Sequence, residues 1–466
     1  MPTELQREII LIIQIWILMN WVQIWLELLE YEQKREKKGS QRKKRQRRKP
    51  EEFQGLTKKP VCEACQATAS HQTERPIPPP MIKSKRGRPR KVDTHKHYCP
   101  DQECQYYGWL GRGNMRANGH PNGGQTRQLH CKACQSYFAE TMGTIFYGSR
   151  VPAETKLRAI AALAEGLGIG AVGRVFEVEA DTVWNWLVEA AEHVEAFSNY
   201  LLHDLKIEQV QLDELYGVLR AVKAGEMGPE EADQRLKKRS CWVWAALDPV
   251  SKLLMGVVVG ERRLPMGQQL VHQVAEKLAV GCVPLFMTDG LAEYGTAILT
   301  HFGHWVARQN ERGRQLKPRW MPLPQLNYAQ VVKKRCRRRL VQVSRRVIYG
   351  SLEGIKTVLA RHGWQINTAF IERFNLTFRH HVPALGRRVN TLAKTEEGLK
   401  RQCMLAQTYY NFVLPHASLG LAVIEPSTQK WQPQTPAMAA GATDQLWSLD
   451  QLLRLRMPPW PQEAAA

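Results

Sequence analysis

Three carboxylates stand where phosphoryl chemistry would need them. Asp213 lies in QVQLDELYG with apolar neighbours at 210 and 212. Asp289 closes PLFMTDG, where an apolar run gives way to a glycine turn, and Glu372 is the single acid in NTAFIERFNLTFR, residues 367–379. Alone, an aspartate of this kind is more often a cap or a turn residue. Together the three follow the order strand acid, second-strand acid, helix acid. Carboxylates so placed can hold two divalent ions that activate a water or a 3′-hydroxyl and stabilise the leaving oxygen of a phosphodiester. Hard oxygen ligands suit Mg²⁺, with Mn²⁺ as its substitute. If 367–382 is helical, Glu372, Asn375 and Arg379 share one face. Phe370, Ile371, Phe374 and Phe378 fall on the adjoining face and would pack on a sheet. Glu372 would then reach a metal ion while Asn375 and Arg379 meet a DNA backbone.

A second set of ligands is sulfur. Of ten cysteines, six lie in pairs between residues 62 and 134. Cys99-x4-Cys104 and Cys131-x2-Cys134 flank a glycine-rich loop, and two such pairs on tight turns supply tetrahedral zinc geometry. Cys62-x2-Cys65 is a third pair without an obvious complement. His71, His95 or His97 could complete a second zinc site, or this pair could replace one of the others. Paired spacing in a basic chain points to metal ligands in a reducing compartment rather than to disulfides. In so small a module the metal itself would supply most of the folding free energy.

The chain of 466 residues carries a formal net charge of +22 and a sequence pI of about 9.7. A surplus of that size, delivered in blocks, implies a polyanionic partner, and double-stranded DNA is the expected one. KSKRGRPRK (83–91) resembles an AT-hook, with Arg86, Arg88 and Arg90 on a proline-fixed backbone suited to a narrow minor groove. KKRCRRRLVQVSRR (333–346), with Arg337, Arg338 and Arg339, suits a DNA channel or a solvated helix face. Residues 155–197 read as a helix-turn-helix, with Gly166 and Gly168 ending the first helix and Asp181 or Thr182 capping the helix that carries Trp184 and Trp186. Glu189, Glu192 and Glu195 make the far end of that helix acidic. Only its first turns, with Thr182, could approach phosphate.

The elements that must position these groups change along the chain. Residues 1–31 read as a hydrophobic helix, 32–60 as a basic linker, 61–98 as the Cys62 pair with the AT-hook-like segment, and 99–147 as a zinc ribbon. The helix-turn-helix occupies 152–200. From 206 to 421 strand and helix periods alternate as a mixed α/β catalytic domain, and 422–466 is a Pro-rich tail. The run IILIIQIWILMNWVQIWLELL (9–29) is long enough to span a bilayer. Asn20, Gln23, Glu27 and Glu30 nevertheless form a polar stripe, which favours a helix packed on a partner subunit or domain over a membrane anchor. It lacks the basic leader and cleavage site of a signal peptide.

Taken together, LDE at 212–214, TDG at 288–290 and NTAFIERFNLTFR resemble the three motifs of DDE transposases of bacterial insertion elements. The order zinc ribbon, helix-turn-helix, acids is similar to the insertion-sequence-one family over about residues 95–420. The resemblance implies an α/β, ribonuclease-H-like fold with a mixed sheet flanked by helices. It also implies metal-dependent cutting at element ends, joining of the 3′-OH to target DNA, a homo-oligomer, and a cytoplasmic, nucleoid-associated location. The first 95 residues and the charged insert 220–240 depart from the compact family pattern. The rival reading is a DNA-binding regulator on an inactive transposase scaffold, against which the three intact acids argue.

Overall fold

The computed structural model describes residues 77–81, 93–121, 126–217, 219, 241–309, 314–337, 339–386, 393, 395–422, 430–460 and 462. The chain divides into two compact units, Met1–Val61 and Cys62–Ala466, and every described residue belongs to the second. The helix at 9–29, the basic linker, Cys62, Cys65, His71, Arg86, Arg88, Arg90, Arg338 and the insert 220–240 lie outside the described residues. Among the described residues no helix is long and apolar enough to cross a membrane.

The cysteine module is a small antiparallel sheet of β1 (Met115–Ala117), β2 (Gln128–Cys131) and β3 (Tyr137–Ala139). Its core is little more than Leu129, Met115, Tyr106, Phe138 and the cysteines, so few apolar contacts hold it.

Three helices follow: α1 (Ala153–Ala164), α2 (Ile169–Val175) and α3 (Ala180–Leu201). Gly166 ends the first turn-over at φ +92°, and a Cβ there would meet the His380 carbonyl at 2.4 Å. That close approach requires glycine. The sequence places the cap of α3 at Asp181 or Thr182. The helix instead begins at Ala180, with Glu179 at the N-cap and no side-chain cap bond. Tertiary packing sets this start: Val183, Trp186, Leu187, Ala190 and Val194 are buried along its length. The acidic end of α3 also has an internal explanation, since Glu189 pairs with buried Lys156 and Glu192 with Arg401.

The main sheet has six strands in the order β11-β10-β7-β4-β5-β6. These are β4 (Gln209–Gly217), β5 (Cys241–Leu247), β6 (Leu254–Gly260), β7 (Leu285–Thr288), β10 (Tyr328–Cys336) and β11 (Arg339–Tyr349). β4, β5 and β6 form an antiparallel meander, β7 lies parallel to both β4 and β10, and β11 returns antiparallel at the edge. Period-2 alternation sorts the two faces. Val210, Leu212, Trp244 and Ala246 face one core with α4 (Leu264–Lys277) and α5 (Ala292–His301). Leu215, Val243, Ala245 and Leu247 face the other, under α7 (Ala369–His381) and α8 (Glu396–Thr408). α6 (Leu352–Ala360) covers β7 and β10 through Ile355 and Leu359. A two-stranded ribbon, β8 (Gly303–Gln309) with β9 (Gln315–Pro322), is inserted between α5 and β10. This six-stranded mixed sheet flanked by helices is compatible with a ribonuclease-H-like fold.

The carboxy-terminal region, read from sequence as an irregular tail, is part of the body. α9 (Pro436–Ala439) and α10 (Leu449–Arg454) follow one another there. α10 buries Leu449, Leu452 and Leu453 in the same core as α3, and the Leu452 carbonyl lies 3.1 Å from His193 Nε2. Beyond it the chain crosses the cysteine module. Tyr98 donates to the Met457 carbonyl at 2.8 Å, Arg456 stacks over Tyr98, and Trp460 packs edge-on to Tyr107 and Trp109.

Candidate active site

Each acid is positioned by a different element. Asp213 is in the middle of β4, and the parallel register that sets Leu212 opposite Thr288 brings Asp289, the residue after β7, alongside it. Asp289 is held in its turn by the Leu291 N–H, which donates to Oδ1 at 2.9 Å. Glu372 is in the first turn of α7. Ile371, Phe374 and Phe378 bury that helix against β4 and β5, each contributing about 1.5–3 kcal/mol. Gln211 sets its start: buried on the same face of β4 as Asp213, it donates to the Asn367 carbonyl at 3.0 Å and accepts from the Ile371 N–H at 3.1 Å. The helix cannot slide along the strand without breaking both bonds.

Asp213, Asp289 and Glu372 line one cleft of about 690 Å³. Ligand oxygens of Asp213, Glu214 and Asp289 all lie within 4.8 Å of one another. Glu372 reaches the cleft from the opposite side, where Lys333 pairs with it and Thr368 Oγ1 donates to it at 2.7 Å. Burial, and then the charges of Glu214, Asp289 and Glu372, push the Asp213 carboxyl up from 3.8 to about 7. Carboxylates brought this close repel; Lys333 on Glu372 and Arg262 on Glu214 offset part of that repulsion, and an oxygen-ligated divalent cation would relieve the rest. The donor set is therefore chemically suited to a hard metal ion.

Asn375, expected to face DNA, is buried and donates from Nδ2 to Asp213 Oδ2 at 2.7 Å. That bond orients the acid, and Asn375 also lines the adjoining groove. Arg379 lines an adjoining groove of about 360 Å³ together with Glu372 and Arg373. The basic stretch 333–346, for which a solvated helix face stood as one reading, is instead a β-hairpin. β7 ends opposite Gln330, while β10 continues from Val331 to Cys336. Six residues at about 3.3 Å each carry this ribbon roughly 20 Å past the end of β7. Lys333 stands at its base in the cleft, and Arg337 and Arg339 lie exposed at its turn. Thr182 is half-buried in the first turn of α3.

Cys99, Cys104, Cys131 and Cys134 converge, all four sulfurs within 4.8 Å of one another. Cys99 and Cys134 approach to 3.4 Å, and Cys104 and Cys131 to 4.0 Å. All four are free thiols. The Tyr106 N–H and Asn114 Nδ2 donate to the sulfurs of Cys104 and Cys131, each at 3.4 Å, as groups that stabilise thiolate would. Among the described residues neither His95 nor His97 joins this cluster. Four sulfurs so placed form a ligand set that could hold a metal ion.

Two groups were not read from sequence: Arg262, which lines the cleft, and Glu214, buried behind it. Glu214, next to Asp213, was quoted only inside its motif, and Arg262 lies in the turn between β6 and α4. Neither follows a recognisable pattern, because both acquire meaning only from neighbours distant in the chain.

No protein-family model matches the chain, and no curated protein matches it in sequence. Among solved structures, the crystal structure of the Mos1 strand transfer complex is similar at 13% identity, over 52% of this chain and 81% of that one, with a TM-score of 0.15. Similarity that weak carries no argument about this chain.

Proposed function

We propose that this protein is a DDE-type transposase, which binds the ends of a mobile DNA element, cuts them and joins the 3′-OH to target DNA. The observation that carries the reading is one cleft lined by Asp213, Asp289 and Glu372, with a basic ribbon rising from its wall. Magnesium or manganese, held by these three acids, would supply Lewis-acid activation of the attacking oxygen and stabilisation of the leaving one. The chain's own residues do the rest. Gln211 and Asn375 hold α7 and Asp213 in place. Lys333, paired with Glu372 in this structure, would be freed for a DNA phosphate were the acid to hold a metal ion. Lys334, Arg337, Arg338, Arg339 and Arg379 neutralise the DNA backbone, a contribution that weakens as salt rises. The three motifs resemble those of insertion-sequence-one transposases, and the same reading extends to a homo-oligomer on the nucleoid.

Zinc is the metal proposed for the four cysteines. Tetrahedral Zn–S bonds of about 2.3 Å put sulfurs roughly 3.8 Å apart, and the measured separations of 3.4 and 4.0 Å bracket that value. The module would present DNA-contacting surface together with α1–α3.

A strand-transfer assay tests the function, using DNA that flanks the encoding locus as donor and comparing wild type with Glu372→Ala. Metal-dependent joining by wild type alone is the expected result. A footprint on that DNA from both proteins, with no cutting by either, would replace this reading with that of a DNA-binding regulator.

A further inference from the structure

Glu214 and Arg262 have a geometry that the three-acid reading does not use. Along β4, Asp213 turns to the α7 face while Glu214 turns to the α4–α5 face with Leu212. The Glu214 side chain is 2% exposed, and both of its oxygens are occupied. Oε1 accepts from Arg262 Nε at 2.7 Å and also from Nη2, while Oε2 accepts from the Tyr294 hydroxyl at 3.0 Å. Tyr294 is itself fully buried. The Arg262 guanidinium lies over the Trp242 ring at 4.9 Å, and its side chain is 38% exposed where it lines the acid cleft. Its Nη2 stands 3.8 Å from Asp289 Oδ2, beyond hydrogen-bond range.

A carboxylate serving a divalent cation does not also hold a guanidinium through the same oxygen, because the two cations repel across a few ångströms. Glu214 has the surroundings of an anchor. Its charge and the Trp242 face fix the arginine, whose partly exposed guanidinium lines the cleft with Nη2 3.8 Å from Asp289. We propose that Arg262 is a further catalytic residue that donates to a non-bridging oxygen of the scissile phosphate, and that Glu214 positions it rather than ligating metal. This rests on reading the cleft as a phosphoryl-transfer site. In the transfer, the attacking oxygen of water or a 3′-hydroxyl gives up its proton and bonds to phosphorus. The bond to the leaving oxygen breaks, and that oxygen is protonated from solvent. Arg262 exchanges no proton and stabilises charge on the equatorial oxygens.

The test uses the full chain and Mn²⁺ as probe. Metal binding, followed by the electron paramagnetic resonance of Mn²⁺, is compared in wild type, Glu214→Gln, Arg262→Gln and Asp289→Asn, and cleavage of flanking-locus DNA is measured alongside. Glu214→Gln is expected to weaken Mn²⁺ binding less than threefold and Arg262→Gln to leave it equal or tighter, whereas Asp289→Asn weakens it more than tenfold. Arg262→Gln should lower the cleavage rate constant by about 100-fold with DNA affinity within threefold, as for loss of one preorganised donor, and Arg262→Lys should recover part of the rate. Loss of Mn²⁺ in Glu214→Gln comparable to Asp289→Asn would make Glu214 a ligand and overturn the proposal. A full cleavage rate in Arg262→Gln would overturn it equally. Absence of Mn²⁺ binding by wild type would instead remove the phosphoryl-transfer reading itself, and this inference with it. Should Glu214→Gln not fold, the partly exposed Arg262 variants decide the matter by rate, DNA affinity and Mn²⁺ binding.

Discussion

Replacing Asp213 by asparagine should make the magnesium-free protein more stable while destroying its activity. In the fold the Asp213 carboxyl is raised from 3.8 to about 7, by burial first and by the neighbouring carboxylates next. Between those values the folded chain keeps a proton that the unfolded chain has lost. Stability therefore falls as pH rises through the window from about 4 to 7, and the loss is complete above it. At about 1.4 kcal/mol per tenfold change in proton affinity, the interval bounds the effect at roughly 4 kcal/mol. Partial solvation of the cleft reduces this to about 2 kcal/mol. For the compact unit Cys62–Ala466, at about 2.1 cal/mol/K of unfolding entropy per residue, that corresponds to about 2–3 °C in melting temperature. Asparagine keeps an acceptor for Asn375 Nδ2 and carries no charge, so Asp213→Asn should melt about 2–3 °C above wild type at pH 8 and level with it at pH 4. Melting of the full chain should be followed with magnesium omitted rather than chelated, so that metal at the cysteines is retained. Saturating Mg²⁺ at pH 8 should raise the wild-type melting temperature, by about 2.7 kcal/mol of stabilisation at one hundred times Kd, and leave the variant nearly unmoved. A variant that melts at or below wild type at pH 8 would refute the view that unneutralised acids strain this site.

Cys131→Ser should lower bound zinc by one equivalent per chain, measured by atomic emission, and loosen the module against which Trp460 packs; unchanged stoichiometry would remove the cysteine assignment. Gln211→Ala breaks two hydrogen bonds to the start of α7, one of them buried, at about 1–3 kcal/mol for the buried group left unsatisfied. It should lower the strand-transfer rate at least tenfold through misplacement of Glu372, with DNA affinity held. A variant with full activity would show that α7 is positioned by its apolar face alone.

Local pattern was enough to read much of this chain. CWVWAALDP and KLLMGVVVG are near-continuous apolar runs split by a turn, and they form the antiparallel pair β5 and β6, buried on both faces. Phe374, Phe378 and Ile371 at helical spacing announced the packing face of α7, which in turn put Glu372 on an accessible side. The paired cysteines announced their convergence for the same reason: short spacing on tight turns restricts where sulfur can go. Tertiary structure decided the rest. The arginine-rich stretch became a hairpin because β10, anchored on β7 at residues 328–330, runs on past it and β11 returns along its length. Thr182 and Asp181 did not cap α3, because the burial of Val183 and Trp186 set where that helix starts. The hydrogen bond from Asn375 to Asp213 could not be read locally, because it needs β4 beneath α7. The carboxy-terminal segment, whose prolines read as an open tail, folded onto α3 and the cysteine module through a few apolar anchors. Glu214 and Arg262 were silent in sequence for the most general reason. A charge acquires its function from the dielectric and the charges around it, and those are supplied by residues that only the folded chain brings together.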